Sequence, residues 1–156
     1  MKLYELRREQ RLAVGIREAW DFFSHPANLA AITPPEMRFE VTGQVPEHIR
    51  PGLIVTYRVR PLLGVPVRWV TEITHVREPE LFVDEQRFGP YRFWHHQHLF
   101  REVPGGVEVQ DIVHYALPRG AGPVGRGVVR ARLEAIFDHR RAVLERKYGA
   151  LPDPTA

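Results

Sequence analysis

With 156 residues and a 44% hydrophobic composition, the chain is long enough for one sizeable core and short for two ordinary domains. Its 22 basic and 19 acidic residues are interleaved, so no one-signed stripe suited to phosphates forms, which argues against nucleic-acid partners. Cysteine is absent, excluding disulfides, thiolate nucleophiles and thiolate metal sites, and no apolar run reaches bilayer-spanning length. These features predict one cytoplasmic domain over residues 1–149, monomeric or homodimeric, with a flexible tail over 150–156 and no membrane insertion.

Residues 3–14 predict a first strand, with Tyr4, Leu6 and Leu12 in step. Ile16, Ala19, Trp20 and Phe23 then recur at helical spacing. Ser24-His25-Pro26 stops that helix, and Pro26 opens a second short one through Leu29 and Ile32. Thr33-Pro34-Pro35 is expected to end helical structure. From Met37 to Leu117 the period returns to two. Turn signals at Pro51-Gly52, Leu63-Gly64, Glu78-Pro79, Gly89-Pro90 and Pro104-Gly105-Gly106 divide this stretch into six antiparallel strands. In the last helix, Val129, Leu133, Ile136, Phe137, Val143 and Leu144 share one stripe, while Arg130, Glu134, Asp138, Arg141 and Glu145 face water. Arg140 interrupts the stripe one turn after Phe137, either snorkelling at its edge or pointing inside, where it would need an anionic partner.

The order defines an α+β class: a seven-stranded, curved antiparallel sheet wrapped around a long C-terminal helix, with two short helices between strands 1 and 2. The concave sheet face and the helix stripe bury each other, and seven strands around one helix leave a cavity between them.

The richest stretch for chemistry is Trp94-His95-His96-Gln97-His98-Leu99-Phe100. Strand alternation sends Trp94, His96, His98 and Phe100 to one face and His95, Gln97 and Leu99 to the other. A hairpin at Gly89-Pro90 places Asp84 opposite His96 and Gln86 opposite Trp94. One at Pro104-Gly105-Gly106 places His98 opposite Asp111 and Trp94 near Tyr115. Each imidazole thereby gains a carboxylate neighbour. A satisfied polar network on the cavity wall and an acid/base set both fit: in the second, His96 or His98 is the base, Asp84 or Asp111 orients it, and Tyr115 donates a proton. His96 and His98 with Asp84 or Asp111 have the residue types of a metal site, but nothing beyond that spacing supports one, and no metal or other cofactor is expected. Tyr57 and Trp69 read as wall-packing residues. An outer-face interaction role would rest on His95, Gln97 and His114.

Several blocks together resemble a known superfamily: Pro26-Ala27-Asn28-Leu29, Thr33-Pro34-Pro35, Gln86 with Gly89-Pro90, Trp94-x-His96-x-His98-x-Phe100, Asp111-x-Val113-x-Tyr115-x-Leu117-Pro118 and Ile136-Phe137-x-x-Arg140. With the element order, they look like the polyketide cyclase/dehydrase and lipid-transfer (START-related, SRPBCC) superfamily. The resemblance implies the helix-grip fold and a cavity for a hydrophobic or amphipathic small molecule, a class that includes lipids, polyketides, sterols and hormones. The candidate ligand-binding residues are Tyr57, Trp69, Asp84, Gln86, Trp94, His96, His98, Phe100, Asp111, Tyr115, Phe137 and Arg140. The resemblance also keeps a cyclase or dehydratase activity open.

Gly120-Ala121-Gly122-Pro123-Val124-Gly125 spells a dinucleotide-binding glycine pattern. No strand follows the helix to complete a βαβ unit, and Pro123 lacks the backbone donor a phosphate loop needs there. Residues 119 to 127 are expected to form a hinge at the cavity mouth.

Overall fold

The computed structural model describes residues 1–61, 64–117 and 120–152. The strands are β1 (Tyr4–Leu12), β2 (Glu40–Thr42), β3 (Leu53–Val59), β4 (Val67–Arg77), β5 (Leu81–Phe88), β6 (Phe93–Val103) and β7 (Gly106–Ala116). They form one antiparallel sheet in the order β1-β7-β6-β5-β4-β3-β2. Helix α1 (Ile16–Phe23) and a 3-10 helix (Pro26–Ile32) carry the chain between the two edge strands, and α2 (Pro123–Tyr148) closes the concave face. This is the helix-grip architecture, with seven strands as expected.

Alternation on β6 holds residue by residue: Trp94, His96, His98 and Phe100 are buried, and the intervening side chains are half-exposed on the outer face. Register shifts between Val70 and Thr71, and between Ile73 and His75, interrupt the pairing of β4 with β5. Such bulges increase local twist and help the sheet curl around α2.

Three local expectations change. Helical structure does not end at Thr33-Pro34-Pro35, because Pro35 opens a 3-10 turn over Pro35–Met37, its fixed φ and missing N–H suiting a first helical position. The glycine-rich stretch is not a hinge as far as residue 127. The helix begins at Pro123 and takes in Gly125 and Gly127. Arg119 lies outside the described residues, as do Leu63 of one expected turn and residues 153–156. Finally, the segment after α2 is tied down at its start: Ala150 bridges to Leu12, and the Leu151 N–H donates to the Arg11 carbonyl at 3.0 Å.

The buried stripe of α2 is Val129, Leu133, Phe137, Arg140 and Leu144. Ile136 and Val143, expected on it, are half-buried along its flank. Gly149 ends the helix with φ +84, a conformation glycine adopts without Cβ strain, and its N–H bonds the Glu145 carbonyl at 2.8 Å. The core forms two apolar clusters along this axis. One joins Trp20 of α1 to Phe82, Phe100, Val109 and Leu144; the other joins Trp94, Val113 and Tyr115 to Val129, Leu133 and Phe137. Trp20 meets Phe82 and Phe100 edge-on, at centroid distances of 5.7 and 5.6 Å. Arg140 sits on the stripe between the two clusters.

Candidate functional site

The same interruption occurs on each strand facing Arg140. On β5, Asp84 follows Phe82 on the inner face. On β6, His96 and His98 separate Trp94 from Phe100. On β7, Asp111 separates Val109 from Val113. One polar layer therefore crosses three strands and the helix, with apolar packing on both sides.

The expected pairs are in register, Asp84 opposite His96 and His98 opposite Asp111. Their shortest bonds nevertheless run diagonally. His96 Nε2 lies 2.7 Å from Asp111 Oδ1, and His98 Nε2 lies 2.7 Å from Asp84 Oδ2. The direct pairs are longer, with His96 Nδ1 at 3.4 Å from Asp84 Oδ2 and His98 Nδ1 at 3.3 Å from Asp111 Oδ1. His98 Nδ1 is buried and off the line of a hydrogen bond. Each carboxylate thus lies between both imidazoles. The two rings lie 3.8 Å apart, tilted by 34°, and Phe82 stacks on His98 at 4.0 Å. Trp94 donates its indole N–H to Asp84 Oδ1 at 3.3 Å, and Arg140 Nη1 donates to Asp111 Oδ1 at 3.3 Å.

This geometry fixes where protons reside. Burial disfavours charge on both carboxyls, but His96 and His98 outweigh it at Asp84, and His96, His98 and Arg140 outweigh it at Asp111; both lie below the usual carboxylate range, Asp111 well below. Burial also opposes a charged His98, but Asp111 and Asp84 overcome this and raise its pKa above 6.5. At His96, burial and then the charge on His98 prevail over the carboxylates and lower its pKa. Of the two imidazoles, His98 therefore holds a proton more readily than His96, between two carboxylates and the Arg140 guanidinium.

The pH dependence of stability follows. His98 contributes fully below its unfolded value of about 6.5, and that contribution is lost as pH rises through its higher folded value. The carboxylates contribute above about 3.9 and lose their contribution as pH falls through their lowered folded values. His96 works against the fold as pH drops from about 6.5 toward its lowered value, because the unfolded chain takes the proton first. In an NMR titration of imidazole shifts, His98 is expected to titrate above 6.5 and His96 to remain neutral below it. Superimposable titration of both near 6.5 would contradict this assignment.

A cavity of about 180 Å³ opens against the layer, between the inner sheet face, α2 and the segment from α1 to Met37. Of the candidate residues, Tyr57, Trp69, Asp84, Trp94, His96, His98, Phe137 and Arg140 line it. Four do not. Phe100 is packed into the cluster around Trp20, 5.3 Å from Phe23. Asp111 stands behind the histidines as their partner. Tyr115 stacks on Tyr4 at 5.6 Å, away from the cavity, which places it wrongly for the proton-donor role. Gln86 lies one residue past the end of the β5–β6 ladder, where the register continues toward Trp94. It clamps the turn, its side-chain amide donating to the Tyr91 carbonyl at 2.7 Å and its Oε1 accepting the Tyr91 N–H at 3.2 Å.

That clamp holds Tyr91 as part of the wall beside Trp69 and Trp94, a role that its place in a turn concealed. Phe22, Phe23, Leu29 and Met37 also line the cavity. The helical spacing of Phe23 and Leu29 was visible, but which face would meet a cavity was not. Arg132 is a further lining residue, with Nε donating to the Pro61 carbonyl at 3.1 Å and Nη1 to Glu36 Oε1 at 3.5 Å.

Asp84, His96 and His98 bring donor atoms within 4.8 Å of one another, close enough for a cation. A cation would have to replace the proton that His98 Nε2 shares with Asp84.

Fold and site together define a helix-grip protein with an apolar cavity backed by an ionic layer. No family model and no curated protein matches the chain. Solved structures do match the fold. A protein designated Ms6760 from Mycobacterium smegmatis aligns with a TM-score of 0.66 at 21% identity, covering 95% of this chain and 99% of that one. The di-domain ARO/CYC BexL from the BE-7585A biosynthetic pathway aligns at 0.68 and 18% identity, covering 96% of this chain and 51% of its own. Ara h 8.0201 aligns at 0.61 and 13% identity, covering 92% and 99%. The fold is thus the one expected from the resemblance to the polyketide cyclase and START-related superfamily.

Proposed function

We propose that the protein binds a small hydrophobic or amphipathic molecule in this cavity. The observation that carries the reading is the composition of the wall: mostly aromatic and aliphatic side chains, with Asp84, His96, His98 and Arg140 converging in one layer. Sites that are mostly apolar with a few fixed polar groups hold small ligands by burying the body and orienting one end. Among the described residues no helix is long and apolar enough to cross a membrane.

Native mass spectrometry of the purified protein, with fluorescence titration against a lipid and aromatic library, tests the reading. The wild type is expected to retain or acquire a ligand. Ile136→Trp, which projects an indole from α2 into the cavity, is expected to weaken binding by about tenfold or more while far-UV circular dichroism stays unchanged. Equal binding by both proteins, or none by the wild type, would defeat it.

An acid/base function is supported by the close pairing of His96, whose pKa is lowered, with His98, whose pKa is raised, on the cavity wall. The superfamily resemblance would make that chemistry cyclase- or dehydratase-like. Here His98→Gln is expected to abolish turnover while leaving ligand binding measurable, and turnover retained by that variant would exclude His98.

A further inference from the structure

Resting on the reading of the cavity as a ligand site, we propose that its ligand carries a carboxylate, that Arg140 receives it, and that the His96–His98 pair takes up one proton as it arrives.

Arg140 is the least satisfied group in the layer. It is 6% exposed and has five N–H donors, yet its guanidinium makes one hydrogen bond among the described residues, to Asp111 Oδ1 at 3.3 Å. That is long beside the 2.7–2.9 Å usual between charged partners. Its Nε is buried with no partner. Asp111 meets it through Oδ1 alone, an oxygen that also lies 2.7 Å from His96 Nε2 and 3.3 Å from His98 Nδ1. The guanidinium is held over the Phe137 ring at 4.7 Å and lines the cavity. A fixed, donor-only fork short of acceptors matches a planar carboxylate, which can accept two parallel bonds.

Charge explains the second histidine. Asp84, Asp111, Arg140 and the protonated His98 sum to zero, so an arriving carboxylate would leave one uncompensated negative charge in an apolar site. His96 can absorb it. The groups facing it are Asp84 from β5, His98 on its own strand, Asp111 from β7, Arg140 from α2 and the Tyr57 phenol from β3, which burial keeps neutral. Arg8 of β1 lies opposite Asp111 but reaches Asp138, at 3.5 Å. What keeps the second proton off His96 is its burial and the charge of His98. A carboxylate held at Arg140 offsets that repulsion.

Isothermal titration of the full chain with 1-naphthylacetic and dodecanoic acids, and with their methyl esters, tests this in two buffers of different ionisation enthalpy. At least one acid is expected to bind about tenfold or more tightly than its ester. Close to one proton should be taken up per acid bound, and acid affinity should rise as pH falls from 8 to 6, by at most about tenfold per unit. Arg140→Met should abolish the acid preference; Arg140→Lys should retain part of it. Should Arg140→Met fail to fold, the wild-type comparison and the lysine variant decide. Acids and esters binding alike, or acid binding without proton uptake, would overturn the carboxylate inference and leave the ligand-binding reading intact. Failure of all four compounds, with no other ligand found in the library screen, would defeat both.

Discussion

Asp111→Ala is expected to destabilise the protein by about 3–5 kcal/mol in urea unfolding, far more than deletion of an average side chain. Asp111 is 6% exposed, accepts from His96 and Arg140, and lies 3.3 Å from His98 Nδ1. Its removal strands a buried guanidinium and leaves the imidazolium of His98 with Asp84 alone. The loss exceeds any net gain from assembling the layer, because an unpaired buried charge keeps its desolvation cost without compensation. Two companion measurements separate this from simple loss of volume. In Asp111→Asn, which keeps the shape, the pKa of His98 should fall, visible in its imidazole titration. In a double-mutant cycle, Asp111→Ala with Arg140→Met should be less damaging than the sum of the two changes by about 1–3 kcal/mol, since the second removes the charge the first has orphaned. Additive effects would mean that the two groups are not energetically joined.

The layer also shows where sequence reasoning stops. Alternation on β6 and the hairpin turns were enough to place His96 opposite Asp84 and His98 opposite Asp111, because a one-residue slip would have turned the aromatic face outward. The diagonal hydrogen bonds were not legible. Side chains lean along their strands, and an imidazole can reach the carboxylate two residues along as readily as the one directly across. The same leaning, with the taper of the cavity, explains Phe100. It shares a face with the histidines, but by its position the concavity is filled by Trp20 and Phe23, so it packs rather than lines. Arg140 was legible as an interruption of an apolar stripe, and its direction became readable only once Asp111 was seen opposite it. Tyr91 and Phe22 were hidden for another reason: a wall assembled from separate elements leaves no periodic trace in any one of them.

The two apolar clusters and the ionic layer divide the work along α2. The cluster around Trp20 anchors the C-terminal half of the helix to α1 and the sheet. The cavity is walled from both clusters, by Phe23, Ile32 and Phe82 of the first and by Trp94, Leu133 and Phe137 of the second. A ligand body would pack against both, while the charges of the layer are held by the three strands and the helix that carry them.

Gly106→Ala is expected to cost more than 3 kcal/mol, roughly the scale of a backbone clash in a filled core, and to shift the unfolding midpoint even though the change adds one methyl group. The turn signal Pro104-Gly105-Gly106 accounts for Gly105, whose φ of +86 requires glycine. It does not account for Gly106. A Cβ there would lie 2.0 Å from the Leu12 carbonyl oxygen and 3.0 Å from the Leu151 side chain. The first obstacle is backbone, so it cannot rotate aside. β1 would have to part from β7 where Leu12 pairs with Val107, both fully buried, and Leu12 also bridges to Ala150 at the end of α2. One close approach thus joins the first strand, the last strand and the residues after the helix. Hydrogen exchange should report the damage as lost protection in β1 and in the last turn of α2, with the ladder between β3 and β4 largely spared. Uniform loss across the sheet would show that this junction has no separate stability, and an unchanged midpoint would mean that the strands open at little cost.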